Sequence, residues 1–353
     1  MSQNARVATD TAAELVARAL AAARVAEESD DWGGHGELLR LAAADGPGSL
    51  TLGLELIDSA DLVERETGCD LLFHASDLNE AVRGDVAAAL VALARRETQG
   101  RVLWALARAI ERTYDHRAVP VLVALAEHPD AEIRLQVAAS FAGVVTGASD
   151  GPDIRTLIAL SRDPDPRVRN WATFTLGFQA EVDSGAIRAA LWERTGDQDA
   201  EVREEGVRGL ARRHDPRAVP LLLRLLQDPQ GAHVLTFHAA QIMGAPELLA
   251  ALLEYELDDA WVAEAVNACD PVRSGQLSAF AWDLVCGLDR ARPDLDAAVY
   301  VERFGSGLTL GFGRDAGAES SGSCVEALSR RADGDAARAR ELITADLPAF
   351  TSD

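Results

Sequence analysis

The sequence contains no lysine, few aromatic residues and a shortage of positive charge. All 34 basic residues are arginines, and 57 acidic residues outnumber them, so the formal net charge is −23 at pH 7. A chain this acidic repels phosphate backbones, which disfavours indiscriminate binding to nucleic acid. Aromatic residues make up 5% of the chain, although 48% of it is hydrophobic. Small aliphatic side chains must therefore fill the core, which favours closely packed helices.

The chain also has little that points to a metal, a cofactor or a catalytic centre. The four cysteines, Cys69, Cys269, Cys286 and Cys324, lie far apart and form no CxxC motif. No histidine pair stands at metal-ligand spacing with them, so we expect reduced thiols in a cytoplasmic protein and no zinc site. GxSxG and HExxH motifs are absent. The sequence therefore predicts no cofactor and assigns no catalytic residue.

No segment is apolar for long enough to cross a membrane. The longest apolar run, at 118–126, has about half the length that a membrane-spanning helix requires. The segment 1–30 has acidic residues early and no unbroken apolar core, unlike a signal peptide. Thr11 and Glu14 instead match a capping box that opens an amphipathic helix. We expect a soluble protein without membrane contact.

The feature that is present is an internal repeat of about 34 residues. Three segments align with one another: 131–143, 166–177 and 200–211. Their arginines Arg134, Arg169 and Arg203 fall 35 and 34 residues apart. The other half of the unit also recurs, because 116–130 returns as 216–230. Each unit is therefore predicted to be two helices joined by a tight turn.

This pattern resembles HEAT repeats, in particular the short bacterial kind found in phycobilisome-lyase-like proteins. The resemblance rests on Asp163 with Val168 and Arg169, and on the equivalent residues of the next unit: Asp197, Val202 and Arg203. It implies that the aspartate and arginine pairs form a ladder of contacts along the stack. The pattern is broken at His128 and at Val234, where the ladder residues are replaced. The implied fold is all-α, a right-handed α-solenoid of HEAT-like two-helix repeats with divergent helical caps.

Three parts are predicted along the chain. An N-terminal helical cap covers 1–46, the repeat solenoid covers 47–250, and a divergent helical region covers 251–353. Within the last part we expect helices at 256–268, 274–289 and 293–303, and then a Gly/Ser-rich loop at 305–323. That loop lacks GxxxxGK[ST], so a flexible loop is favoured over a phosphate-binding loop.

Aligned columns of the repeat indicate which residues face outward on the second helices. In the alignment of repeats, Trp171 and Phe174 occupy the positions that Glu205 and Arg208 hold in the following repeat. The charged residues in these columns predict that the positions are exposed to solvent. The predicted partner-binding stripe along successive second helices consists of Trp104, Gln136, Asn170, Trp171, Phe174, Glu205, Arg208, His238 and Gln241. Alternatively, Trp171 and Phe174 pack beneath a neighbouring repeat or against the loop 144–153.

The leading hypothesis is a non-enzymatic scaffold that binds a protein or peptide on the concave face of the solenoid. The acidic composition favours a basic partner. Two enzyme alternatives stay open: a lyase or isomerase acting on a small molecule in the concave groove, and a DNA glycosylase-like enzyme. Trp104 and Trp171 would supply the aromatics of the latter, with Arg101, Arg134, Arg169 and Arg203 as its positive charge.

Overall fold

A computed structural model describes residues 10–29, 34–229, 231–301, 308–312 and 323–346 of the 353-residue chain. The chain divides into two compact units, Met1–Ala190 and Leu191–Asp353. The predicted all-α fold of two-helix repeats is confirmed in both units, with one exception near the C-terminus. The predicted boundaries at 46/47 and 250/251 stay predictions.

The first unit contains a row of second helices that pack side by side, each preceded by a first helix. After α1 (Ala12–Ser29), the row consists of α2 (His35–Ala43), α4 (Leu62–Leu78), α6 (Gly100–Glu111), α8 (Ala131–Ser140) and α10 (Pro166–Phe174). The first helices are α3 (Gly46–Ile57), α5 (Arg83–Ala94), α7 (Val119–Leu125) and α9 (Pro152–Leu160). The division between the units falls within α11 (Gly185–Arg194). The core between the two layers is aliphatic, with Leu72, Leu90, Leu106 and Ile133 fully buried.

The second unit repeats this pattern and then changes. Its second helices, each packed against the next, are α12 (Ala200–Arg212), α14 (Val234–Met243) and α16 (Ala260–Cys269). Its first helices are α13 (Ala218–Leu226) and the short α15 (Leu249–Leu252). A long helix, α17 (Pro271–Ala291), follows directly. Two further helices, α18 (Val325–Arg331) and α19 (Ala336–Asp346), pack against α17.

Aspartates start the second helices because their carboxylates accept the unpaired backbone N–H groups of the first turn. Asp165 caps α10 by accepting from Arg167 N, and Pro166 occupies the first turn. Asp130 and Asp199 cap α8 and α12 in the same way. Asp165 is therefore the N-cap of α10, and the equivalent aspartates have the same role in the sister repeats.

Arginines of the second helices tie each helix to the turn before it. Arg134 Nη1 donates to the carbonyls of His128 and Pro129, six and five residues earlier. In the same way, Arg169 Nη1 donates to the carbonyls of residues 163 and 164, and Arg203 Nη1 donates to those of residues 197 and 198. Because each turn exposes backbone oxygens that need donors, one guanidinium satisfies two of them.

The remaining donors of Arg134 reach the next repeat. Its Nε and Nη2 bind the two carboxylate oxygens of Asp163 at 2.7 and 2.9 Å. Arg65 makes the corresponding contact with Glu97 at 2.7 Å. His128, which interrupts the aspartate pattern, uses Nδ1 to accept from Asp130 N. In the next repeat, Asp163 accepts the equivalent hydrogen bond from Asp165 N. His128 therefore stabilises its turn as the aspartate does.

The C-terminal region is not helical throughout, which corrects the sequence prediction. Residues 293–303 were expected to form a helix, but a 3₁₀ turn (Pro293–Leu295) leads into strand β1 (Ala297–Val301). This strand pairs antiparallel with β2 (Leu308–Phe312), which lies inside the predicted 305–323 loop, and β2 pairs with β3 (Ser323–Cys324). Residues 305–307 and 313–322 of that loop lie outside the described part of the chain.

A separate hydrophobic core explains why strands form here. Leu284 and Leu288 of α17, Leu310 of β2, Val325 of α18 and Ala339 of α19 are all buried in one cluster. The side of the sheet that contributes Leu310 needs an apolar partner layer, and the three helices supply it. Such non-local packing overrides the weak helical pattern at 293–303.

Among the described residues, no helix is long and apolar enough to cross a membrane.

Candidate functional site

Three aromatic side chains form a continuous row at the end of α10. Trp171 and Phe174 are in edge-to-face contact, with 5.6 Å between ring centroids, and Phe174 stacks on Phe178 at 5.8 Å. Trp171 is 43% exposed, and Phe174 and Phe178 are half-buried. We call these three residues the aromatic row. An exposed tryptophan supported by two rings is a rigid apolar surface.

A π-helical turn (Thr175–Gln179) positions the last ring of the aromatic row. The i→i+5 hydrogen bond from Ala180 N to Thr175 O closes the turn at 2.8 Å, and the Thr175 hydroxyl donates to the Ala138 carbonyl of α8. Phe178 follows Phe174 by four residues, a spacing that places both rings on the same face of the helix. Single π turns inside α-helices occur frequently at functional sites.

Polar amides border the aromatic row. Asn170 precedes Trp171, and its Oδ1 is buried without a hydrogen-bond partner in the part of the chain that is described. On the neighbouring helix α8, Gln136 Nε2 donates to Ser140 Oγ at 3.0 Å. A buried carbonyl oxygen that accepts nothing is costly unless a ligand, water or partner supplies a donor. Asn170 Oδ1 is therefore a buried, unsatisfied acceptor beside an apolar surface.

Trp104, the first residue of the predicted stripe, belongs to a charged cluster on α4 and α6. The Arg108 guanidinium lies 5.7 Å from the Trp104 ring and 4.3 Å from the Phe73 ring. Arg108 also pairs with Asp70 at 3.3 Å. Such cation–π contacts stabilise a guanidinium that is partly withdrawn from water. The surface around Trp104 thus consists of paired charges, unlike the uncharged aromatic row.

The sequence interpretation missed this cluster, although a signal existed. Three ion pairs join α4 to α6 and its C-cap residue Arg112: Glu66 with Arg101, Asp70 with Arg108, and Asp77 with Arg112. The partners are separated by 35, 38 and 35 residues (101 − 66, 108 − 70 and 112 − 77), close to the repeat period. In the alignment of repeats, acidic residues of one copy correspond to arginines of the next copy. This correspondence would have identified the ion pairs from the sequence.

His35 lies beneath the same cluster and is buried. Its Nδ1 is 3.0 Å from the Ala19 carbonyl of α1, and its Nε2 is 3.5 Å from Asp70 Oδ2. Both ring nitrogens face oxygen acceptors, an arrangement that suits the doubly protonated ring. Burial alone lowers the pKa of His35, but Asp70, the Ala19 carbonyl and Glu66 outweigh it and raise the pKa above 6.5.

We expect His35 to make the stability of the protein depend on pH. Because the folded-state pKa is raised, the contact stabilises the fold fully below pH 6.5 and loses this contribution as pH rises through the folded-state value. The stability difference between wild type and His35→Gln should therefore shrink as pH rises. Urea unfolding of both proteins across neutral pH measures it. A difference that stays constant would show that His35 does not change protonation.

In the second unit, two predicted site residues are not on a wet surface. Glu205 and Arg208 are 7% and 6% exposed and form an ion pair at 3.3 Å on α12. Burial raises the pKa of Glu205 and lowers that of Arg208. Spacing of i, i+3 lets the charges neutralise each other, so both can be enclosed. The expectation that charged residues in this column mark solvent exposure is wrong here.

The remaining predicted residues of the second unit lie in separate surroundings. His238 is in edge-to-face contact with Trp261 of α16 at 5.8 Å, and burial lowers its pKa. Gln241 lines a cavity of about 1140 Å³ between α14, α16 and the C-terminal helices. The described residues of the chain contain no group of His, Cys, Asp and Glu side chains that could hold a metal ion.

Stacked two-helix units joined by arginine contacts between successive turns define a helical-repeat α-solenoid. Residues 87–177 and 154–241 match a family model described as HEAT repeats. The segment 87–241 thus carries HEAT repeats, which confirms the resemblance inferred from the Asp and Val-Arg pattern.

Protein YibA of Escherichia coli is 34% identical over 93 residues, which cover 26% of this chain and 32% of YibA. The crystal structure of YibA is similar in fold, with a TM-score of 0.53 and 23% identity over 72% of this chain and 95% of that chain. The CpcE–CpcF complex of phycocyanin lyase from a Nostoc species gives a TM-score of 0.40 and 17% identity, over 62% of this chain and 86% of that one. The sequence match thus spans about a third of the curated relative, and the likeness to YibA's structure concerns the fold.

Proposed function

We propose that this protein is a HEAT-repeat scaffold that binds a segment of another protein on the second-helix face of its first unit. The aromatic row carries this proposal. Exposed aromatic residues with rigid support are the commonest energetic anchors at protein interfaces. A partner side chain that covers Trp171 would remove a large apolar area from water without ordering a flexible side chain first.

Asn170 supports a polypeptide as the occupant. Its unpartnered Oδ1 stands one residue before Trp171. Because this oxygen is buried, neighbouring side chains must shift before a backbone N–H or a basic side chain of the partner can satisfy it, and a purely hydrocarbon ligand would leave it unpaired. The combination of apolar rings with one adjacent acceptor is the arrangement expected at the centre of a peptide-binding surface.

The charge of the protein favours a basic partner segment. With a net charge of −23, the protein attracts cationic partners over a distance and speeds their association. On contact, an arginine or lysine of the partner can lie against the rings of the aromatic row, because aromatic faces attract cations. Long-range attraction and local recognition thus point to the same kind of partner.

The nucleic-acid alternative loses its main support. Arg101 pairs with Glu66, and Arg134 pairs with Asp163. Arg169 and Arg203 donate to the carbonyls of their own turns. These arginines hold the repeats together, so using them for phosphates would require breaking contacts inside the fold. We therefore retain the protein-binding function.

Selection from a random peptide library on the immobilised protein tests this proposal. Enriched peptides should contain basic residues, and replacing Trp171 and Phe174 by alanine together should weaken their binding by about a hundredfold. Trp282→Ala is the matched control, because Trp282 is 71% exposed on α17, outside the aromatic row. Failure to enrich any peptide, or equal binding by the double variant, would contradict the proposal.

A further inference from the structure

The cavity in the second unit has the size of a small-molecule site. Its volume of about 1140 Å³ is slightly above the usual range for ligand pockets. Its walls come from α14, α16, α17, α18 and α19, and from strand β2. The aromatic row contributes nothing to it, so the cavity is independent of the surface proposed above to bind a protein.

Four arginines line this cavity; Arg273 of α17 pairs with Asp270, and the other three come from three different helices. They are Arg290 of α17, Arg330 of α18 and Arg340 of α19. Their guanidinium groups make no ion pair or hydrogen bond within the described residues of the unit. Other arginines of the same region are engaged, since Arg292 pairs with Asp294 and Arg338 pairs with Asp333. Arg290 and Arg330 are exposed and Arg340 is half-buried, so three guanidinium groups without an acidic partner face one cavity.

The four acidic residues of the cavity wall form no ion pair with these three arginines. Glu326 accepts from Asn267 Nδ2 at 3.4 Å, and Asp335 Oδ1 accepts from the first backbone N–H groups of α19. Glu264 and Asp283 complete the acidic lining, and neither forms an ion pair with an arginine of the cavity. The guanidinium donors therefore stay available for a ligand.

The position of Arg340 depends on Gly287. A Cβ atom at Gly287 would lie 3.1 Å from Arg340 Nη1. The Arg340 side chain therefore packs against α17 at a position that has no side chain. Arg290 is three residues further along α17 and therefore shares that face of the helix. Two planar guanidinium groups can thus approach one ligand group from the same stretch of α17. Arg330 adds a third cation from α18.

We infer that this cavity binds a small molecule that carries a phosphate group. The planar fork of arginine matches phosphate oxygens and can donate two hydrogen bonds to them. Arg290, Arg330 and Arg340 bind the phosphate, and the apolar wall at Leu277 and Leu308 covers the rest of the molecule. This assignment does not depend on the Gly/Ser-rich segment, which lacks the residues of a phosphate-binding loop.

Isothermal titration calorimetry with inorganic phosphate and with pyrophosphate, at constant ionic strength, tests this inference. The wild type should bind saturably, and pyrophosphate should bind more tightly because it offers more oxygens to the three arginines. Arg340→Ala should lower the affinity at least about tenfold, as expected when a charge-assisted hydrogen bond is lost. Arg290→Ala should have a similar effect and serves as a second variant if Arg340→Ala is unstable.

Arg331→Ala is the matched control, because Arg331 is an exposed arginine of α18 that does not line the cavity. It should bind phosphate like the wild type. Circular dichroism of each variant confirms that the fold is retained. Absence of saturable binding by the wild type would overturn the inference, and so would an equal loss in Arg331→Ala and Arg340→Ala. Replacing Trp171 and Phe174 should leave phosphate binding unchanged.

Discussion

Replacing Gly143 by alanine is expected to destabilise the protein by at least about 3 kcal/mol. Gly143 ends the 3₁₀ turn Phe141–Gly143, where the chain passes close to the end of α6. A Cβ atom at this position would lie 1.9 Å from the Glu111 carbonyl oxygen and 2.8 Å from its carbonyl carbon. Because these are backbone atoms, a side-chain rotation cannot relieve the overlap, and two helices must move apart. Urea unfolding followed by circular dichroism measures the loss.

Gly100→Ala is the control for this substitution. Gly100 begins α6, the helix that ends at Glu111, and an added Cβ would have Ile133 Cδ1 at 3.7 Å, an ordinary contact. Its stability should stay within about 0.5 kcal/mol of the wild type, since alanine favours the helix and meets no obstruction. If both variants unfolded alike, the close approach at Gly143 would not be the cause.

Arg134→Ala is expected to cost about 2 to 3 kcal/mol. The substitution removes the two hydrogen bonds to Asp163 in the next repeat and leaves that buried carboxylate without its counter-ion. It also leaves the carbonyls of His128 and Pro129 without their donor. Because the contact joins successive repeats, its loss weakens an interface as well as a turn. A lowered urea midpoint is the expected measurement.

Arg167→Ala serves as the comparison, because Arg167 lies on α10 and pairs with Glu132 and Asp165 at the surface. Water replaces its partners when it is removed, so its unfolding midpoint should stay near that of the wild type. The double variant Arg134→Ala with Asp163→Ala should recover part of the loss, since no buried charge is then left alone. If the stability loss of the double variant equalled the sum of the two single losses, Arg134 and Asp163 would not be directly paired.

The candidate site was predictable to the extent that it depends on local pattern. Asp165 and Pro166 indicate a helix start, and a tryptophan in place of Glu205 indicates an unusual surface residue. Both inferences use the repeat as an internal reference. The place of Phe178 beside Phe174 agrees with their i, i+4 spacing, whereas the π turn that contains Phe178 has no clear sequence signature.

Column comparison failed where charges pair inside the fold. Charged residues such as Glu205 and Arg208 are usually found at the surface, yet both are buried because each neutralises the other. Asp70 and Arg108 pose the same difficulty, since their pairing joins helices whose facing residues lie 38 positions apart in the sequence (108 − 70). Burial of a charge depends on where its partner lies, and one column does not contain that information.

By itself, the sequence determined the period of about 34, the helix starts at aspartates and the HEAT-repeat class, because these follow from short-range hydrogen bonds and from apolar spacing within one unit. Tertiary structure decided the rest. It made residues 297–301 a strand, since antiparallel pairing with 308–312 and a core shared with α17, α18 and α19 outweigh local propensity. It also brought Arg290, Arg330 and Arg340 to one cavity. Contacts between distant residues depend on how the helices pack. Their energies arise between segments, so no single segment of the sequence reveals them.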